Sequence, residues 1–478
     1  MTPSRPLGSQ VTARHGALRF STPVRVAVIA VSVMAVVALG ILLVPRGDTA
    51  PIAGVSPSAT ASVAPATTSP EPSPTLTPSP SPTTAPTPQP TRTPLAIWTG
   101  LIWSDPVTPS FTVHLYDLLP WGDDYVAVGE VAGPGQGPWA SFTSPDGLNW
   151  TVEQRDFPGA PRHLVALGDE LFAFMPEVWP TPPTPGTIAG APPTTLIWRS
   201  TDGVTWTLVD SLSWQDAWHE AVPDAVVGTY PGGWDQTQHD LPLGVADVAS
   251  GPDGLVAIGN SFGDDAMAPI ILHSTDGQSW TAAALPAGSA NALLNAVAER
   301  DGRFVITGAT GVWTDPATAT SAAWYSDDGL TWVRATVEPD EFGLTAGAEF
   351  GPLWAADDGL LTCRGNREMT AGGWRYMDGW LSSDGTSWRS SPQPGPHPAC
   401  DWSASDGTRI VSLGPRDHAS PMTWPGVMAA SSSTDGVEWQ SLELSSTLTD
   451  RLERFWVVPD GVIYAGVQSF WFGTAVER

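Results

Sequence analysis

The chain of 478 residues contains no lysine: all 21 basic residues are arginine, against 49 acidic ones, and the formal net charge is −28. Phosphate binding needs a basic face, and none is visible, so nucleic acid is not an expected partner. The acidity reads as solubility. Helical signals are nearly absent too, apart from a weak one in "SANALLNAVAE" (289–299). Cysteine is limited to Cys363 and Cys400. His219, Glu220, His239 and Asp240 offer metal-binding side chains, but their spacing fits no familiar site, so no metal and no cofactor is expected.

The amino-terminal part is one long hydrophobic run followed by a stretch that has none. Val26 to Val44 is apolar apart from Ser32 and Gly40. At about 1.5 Å per residue it spans a hydrocarbon core of ~30 Å. Arg5, Arg14, Arg19 and Arg25 precede it, which keeps residues 1–25 in the cytoplasm and sends the rest outside. A cleaved signal peptide has a shorter apolar region, about 7–15 residues. "VPRGDTAP" is also a poor cleavage site, so 26–44 is expected to be a retained transmembrane anchor. Residues 45–95 are rich in Pro, Ser and Thr and nearly uncharged, with nothing to bury. An extended, disordered stalk is expected there, with a reach on the order of 100 Å.

From residue 96 onward the chain repeats. "SPDGLNW", "STDGVTW", "STDGQSW", "SDDGLTW", "SSDGTSW" and "STDGVEW" place aspartates at 146, 202, 276, 328, 384 and 435. Each copy follows a short β-like run and precedes another, so each predicts a hairpin. Between them lies a second repeat, a turn followed by alternating apolar residues, as in "WGDDYVAVG" (121–129) and "VPDGVIYAG" (458–466). Seven copies of the second kind face six of the first. Paired, they predict four-stranded antiparallel sheets arranged around an axis, an all-β, seven-bladed β-propeller over 96–478, with six blades as the alternative count. The last unit lacks a strand, which "AIWTGLIW" (96–103) is expected to supply, closing the ring and removing exposed strand edges.

The heptapeptide resembles the Asp-box, or bacterial neuraminidase repeat, written Ser/Thr-x-Asp-x-Gly-x-Thr-Trp, although here Gly follows Asp directly and each copy is one residue shorter. The resemblance implies a sialidase-like propeller fold and little about chemistry, because such propellers include hydrolases, receptors and assembly factors. It also implies where a sialidase would keep its residues: three arginines clamping a carboxylate, the first in a Phe/Tyr-Arg-Ile-Pro stretch of the first blade, and a Tyr/Glu nucleophile pair. This chain has no arginine between Arg92 and Arg155 and no such stretch. In the repeat itself, Asp146, Asp202, Asp276, Asp328, Asp384 and Asp435 are read as structural, accepting hydrogen bonds from their own turns. Trp150, Trp206, Trp280, Trp332, Trp388 and Trp439 are read as packing residues.

In an up-and-down unit the first and third turns share an end. Both repeated short turns therefore lie on one face, and the long irregular segments, including 175–195, 210–244, 309–322, 364–379 and 414–426, lie on the other. Loops on a rigid scaffold commonly carry binding function. The candidate ligand residues there are Trp214, Trp218, Trp234, Trp313, Trp374 and Trp424, with Arg364, Arg367 and Arg375 able to meet an anion. No catalytic residue stands out. Cys363 and Cys400, close in the predicted fold and outside the cell, are expected to form a disulfide. The expectation is a monomeric plasma-membrane protein whose extracellular propeller binds a glycan or an envelope protein. A glycoside hydrolase and a cell-envelope scaffold are the alternatives.

Overall fold

Alternating and near-continuous apolar runs of five to nine residues, each bounded by Gly/Asp turns, become strands throughout. The computed structural model describes residues 96–478 except 111, 132–137, 156, 179–193, 210–215, 218–219, 222–244, 263–266, 290, 312–318, 340–347, 367–374, 392–402, 416–427, 447, 449–451, 467–468 and 478. The expected anchor and stalk therefore lie outside the described residues. Among the described residues no helix is long and apolar enough to cross a membrane.

After β1 (Trp98–Trp103) the strands come in antiparallel groups of four. The first is β2 (Val113–Trp121), β3 (Asp124–Val131), β4 (Trp139–Ser144) and β5 (Thr151–Val152). The second is β6 (His163–Leu167), β7 (Glu170–Val178), β8 (Thr194–Ser200) and β9 (Thr207–Leu208), and the third β10 (Val245–Gly251), β11 (Gly254–Phe262), β12 (Met267–Ser274) and β13 (Thr281–Ala283). Then follow β14 (Leu293–Arg300), β15 (Arg303–Thr310), β16 (Thr320–Ser326) and β17 (Val333–Arg334). A short β18 (Thr336–Val337) adds in parallel to the next group, β19 (Ala348–Ala356), β20 (Gly359–Asn366), β21 (Arg375–Ser382) and β22 (Ser387–Ser390). The chain ends with β23 (Ser403–Ser405), β24 (Ile410–Pro415), β25 (Met428–Ser433) and β26 (Gln440–Leu444), then β27 (Leu452–Val458), β28 (Gly461–Gly466) and β29 (Phe470–Glu477). The last group takes its fourth strand from the other end of the folded region. β1 pairs antiparallel with β29, Leu101 opposite Ala475 and Trp103 opposite Gly473, and also runs parallel to β26.

Each apolar cluster is shared by two consecutive groups. Val126 and Val128 pack on Leu171 and Ala173; Phe172 and Phe174 pack on Leu255 and Ala257; Val256 and Ile258 pack on Phe304 and Ile306. Val305 meets Phe350 and Leu360, Leu361 meets Ile410, and Val411 and Leu413 meet Leu101 and Tyr464. The last cluster returns to the beginning, with Ile463 and Ala465 against Leu115 and Phe142. The first strands β2, β6, β10, β14, β19, β23 and β27 touch one another in the same cyclic order. Every sheet is thus covered on both faces, which is why strands such as β28, "GVIYAG", are buried at every position. Ser289–Glu299 is a correction to the helical reading: Leu293–Arg300 is β14, sandwiched between neighbours, and two-sided burial outweighs its alanine-rich helix propensity.

The six repeated turns share their carboxylate-to-amide bonds. In the second group Asp202 Oδ1 accepts the amides of Val204 (2.9 Å) and Thr205 (2.7 Å) and the hydroxyl of Ser200 (2.9 Å). Ser200 Oγ accepts the Gly203 amide at 2.9 Å, and Trp206 Nε1 donates to the Gly203 carbonyl at 3.1 Å. The same carboxylate-to-amide bonds form at Asp146, Asp276, Asp328, Asp384 and Asp435. At Asp328 they, the Thr331 amide above all, draw the carboxyl down to about 2. The glycine is required twice over. Gly203 has φ +73°, and a Cβ there would come within 2.4 Å of Val126 in the preceding group. Cys363 is fully buried in β20 and disulfide-bonded; Cys400 lies outside the described residues.

Gly203→Ala therefore combines left-handed strain with overpacking and is expected to lower unfolding stability by about 2–4 kcal/mol. Gly168→Ala, at φ +58° with nothing within 4 Å of the new Cβ, should cost only about 1–2 kcal/mol. Urea midpoints of the two variants check the difference; equal losses would show that the contact with the preceding sheet carries no weight.

Candidate functional site at the start of the first strands

Most of the loop residues singled out from sequence, Trp214, Trp218, Trp234, Trp313, Trp374, Trp424 and Arg367, lie outside the described residues. Arg375 is on β21 opposite Asn366. Arg364 is buried in β20, its guanidinium carbon 5.7 Å from the Trp380 ring centroid, so its cation stacks inside the sheet rather than standing on a loop.

The described residues gather a different polar cluster. The first strands run from the long-segment end toward the short turns, and each carries one residue four positions before its last paired residue. These are Asp117 in β2, His163 in β6, Asp247 in β10, Ala296 in β14, Pro352 in β19 and Arg454 in β27. Except in β6, the ladder is bulged next to this position. A bulge frees backbone groups and re-aims side chains. Here it lets side chains reach the neighbouring sheet.

Asp117 accepts the Leu118 amide and, across the gap, the Leu164 amide, both at 2.8 Å. Asp247 does the same with Val248 and Val297, both at 2.9 Å. Asn295 donates to the Phe350 carbonyl at 2.6 Å, and Arg454 donates to the Tyr116 carbonyl. His114 Nδ1 and Glu453 Oε2, on β2 and β27, are 2.9 Å apart. The ring of Tyr116 lies between two side chains: Arg162 has its guanidinium carbon 5.6 Å from the ring centroid, and His114 meets the ring edge-on at 5.2 Å.

The titration of these groups follows from their enclosure. Burial raises Asp117, against the opposing pull of its two amides, of Arg454 and of Trp456. Burial, reinforced by the charge of Asp117, pushes Asp247 up to about 7. Burial and the nearby cations Arg162 and Arg454 hold His163 down to about 4. His163 is therefore neutral near pH 7, and its 3.7 Å approach to Asp247 is not an ion pair. Arg162 and Arg454 are exposed; partial enclosure lowers Arg454, against the attraction of Asp117. Among the described residues, no three His, Cys, Asp or Glu side chains are grouped to hold a metal ion.

The sequence reading looked for function in the loops and passed over the strands. A signal was present. Asp117 precedes Gly122, His163 precedes Gly168, Asp247 precedes Pro252 and Arg454 precedes Pro459 by the same five positions, each a polar residue inside an apolar run.

No family model and no curated protein matches the chain. Among solved structures it is similar to an α-L-arabinanase of Penicillium chrysogenum (12% identity, 66% of this chain and 92% of that one, TM-score 0.33). It is also similar to the polysaccharide lyase Uly1 (9%, 76% and 90%, TM-score 0.45) and to a mutant Trypanosoma rangeli sialidase (12%, 68% and 55%, TM-score 0.36). With every TM-score below 0.5, these likenesses transfer no residue and no activity.

Asp247 gives a pH test. Its folded-state pKa of about 7 lies above the ordinary carboxyl value of 3.8. The folded chain thus holds a proton that the unfolded chain has released, and stability falls as pH rises through the window from about 4 to about 7. Relative to Asp247→Asn, the wild type is expected to lose about 1–3 kcal/mol between pH 4 and pH 8, measured from urea midpoints. A difference independent of pH would refute the protonated carboxyl.

Proposed function

We propose that the chain is a seven-bladed β-propeller, carried outside the cell on a membrane anchor and a Pro/Ser/Thr-rich stalk, that binds a glycan or envelope protein without turning it over. The cyclic packing of groups β2–β5, β6–β9, β10–β13, β14–β17, β19–β22, β23–β26 and β27–β29 with β1 supports the blade number. The Asp-box likeness of the repeated turns agrees with it.

One observation carries the functional reading. Among the described residues, four adjacent first strands place His114, Tyr116, Asp117, His163, Asp247, Glu453 and Arg454 together, whereas Ala296 and Pro352 hold the equivalent positions of β14 and β19; the equivalent residue of β23, Asp401, lies outside the described residues. A polar arc interrupted at Ala296 and Pro352 suits an asymmetric ligand.

The carboxylates favour binding over catalysis. Asp117 and Asp247 each bridge two sheets through amides, and Glu453 is engaged by His114. One observation favours a hydrolase instead: an acid held protonated to about pH 7, like Asp247, is what a general acid requires.

The test uses the full-length protein in detergent micelles, on a glycan array, against envelope extract and with aryl-glycosides. Saturable binding without turnover, weakened about tenfold or more in the double variant His114→Ala/Glu453→Ala at unchanged thermal midpoint, is the expected outcome. Glycoside turnover abolished by Asp247→Asn would replace this reading with the hydrolase.

A further inference from the structure

Resting on that reading of the arc, the geometry points to the chemistry of what it receives: we propose that Arg162 and Arg454 together bind a single oxyanion, a carboxylate or phosphate group on the narrow end of the ligand. Both guanidiniums converge on one residue. Arg162 stacks over the Tyr116 ring, and Arg454 is hydrogen-bonded to the Tyr116 carbonyl. They come from different groups, β27 and the segment leading into β6, so it is the ring closure that brings them together.

Among the described residues, no carboxylate oxygen lies within 4 Å of either guanidinium. The nearby acids have other bonds: Asp117, which also attracts Arg454, and Asp247 accept main-chain amides, and Glu453 pairs with His114. Enclosure lowers Arg454 most, the charge of Asp117 opposes this, and Arg162 adds a smaller depression, as a like charge nearby does. An oxyanion between them would relieve that repulsion, and a guanidinium's planar fork matches carboxylate and phosphate geometry. In a chain of net charge −28, two exposed arginines at the start of the first strands form a local positive spot. That spot would steer an anion toward the arc.

The Tyr116 ring has Arg162 over it and His114 at its edge, which argues against an aromatic platform for a neutral sugar face. Recognition then falls to the guanidiniums.

The test titrates full-length protein in micelles with sodium glucuronate, inorganic phosphate and glucose by calorimetry. Glucuronate or phosphate should bind, glucose should not, and binding should weaken as salt rises from 50 to about 500 mM. Comparing the two anions separates a carboxylate from a phosphate preference. Arg162→Met should weaken anion binding about 10–100-fold and Arg162→Lys by less. Arg162 is exposed and bridges no sheets by hydrogen bonds, so the variant tests the site even if Arg454→Met fails to fold. Equal affinity for glucose and glucuronate, or an Arg162→Met protein that binds both anions as before, would overturn the inference. If a ligand found on the array still loses affinity in His114→Ala/Glu453→Ala, the arc remains the binding site and only its anion chemistry falls. Binding untouched by every one of these variants removes both.

Discussion

The stacking of each small sheet on the next governs this molecule. A four-stranded sheet with two apolar faces cannot stand alone, and a row of such sheets leaves two faces bare at its ends. Here the row has no ends. The cluster of Ile463, Ala465, Leu115 and Phe142 joins the last group to the first, and β1 crosses from the start of the folded region to complete the last sheet. Burial on both faces, closure and the loss of free sheet edges are one arrangement seen from three sides.

That arrangement dictates the turn chemistry. Sheets this close leave room only for hydrogen at the turn position touching the preceding sheet, as at Gly203 against Val126 and Gly277 against Phe172. The tight turn must then satisfy its own amides, and the aspartate before each glycine does so, with the indoles of Trp206, Trp332, Trp388 and Trp439 donating to the glycine carbonyl on the other side. The last group has no such turn because its fourth strand is β1 rather than a hairpin partner.

Much of this was legible in the sequence because it is periodic. Six DG-containing heptapeptides and seven apolar hairpins fix strands, turns and the missing seventh partner, and Trp206 and Trp388 pack as their place in the repeat implies. The site was less legible because it breaks the period. Asp117, His163, Asp247 and Arg454 are polar residues at one level of strands that otherwise read largely as core, brought together by the stacking of consecutive groups and, for Arg454, by closure. Arg364 misled for the opposite reason. It follows the last core residue of β20 and reads as loop, yet it is buried over Trp380. The "NALLNAVAE" stretch misled because local helix propensity carries no information about a sheet waiting on either side.

The same closure that stabilises the molecule assembles its polar arc, since Arg454 and Glu453 of the last group reach Tyr116 and His114 of the first. Hydrogen exchange at the Gly100–Trp103 amides of β1 tests that closure most directly. A closed ring requires these amides to exchange as slowly as those of β28 at the core of the same sheet. Exchange as fast as the exposed turn at Gly122–Asp123, with β28 still protected, would show that the first strand is not part of the sheet, and neither the ring nor the site it assembles would stand.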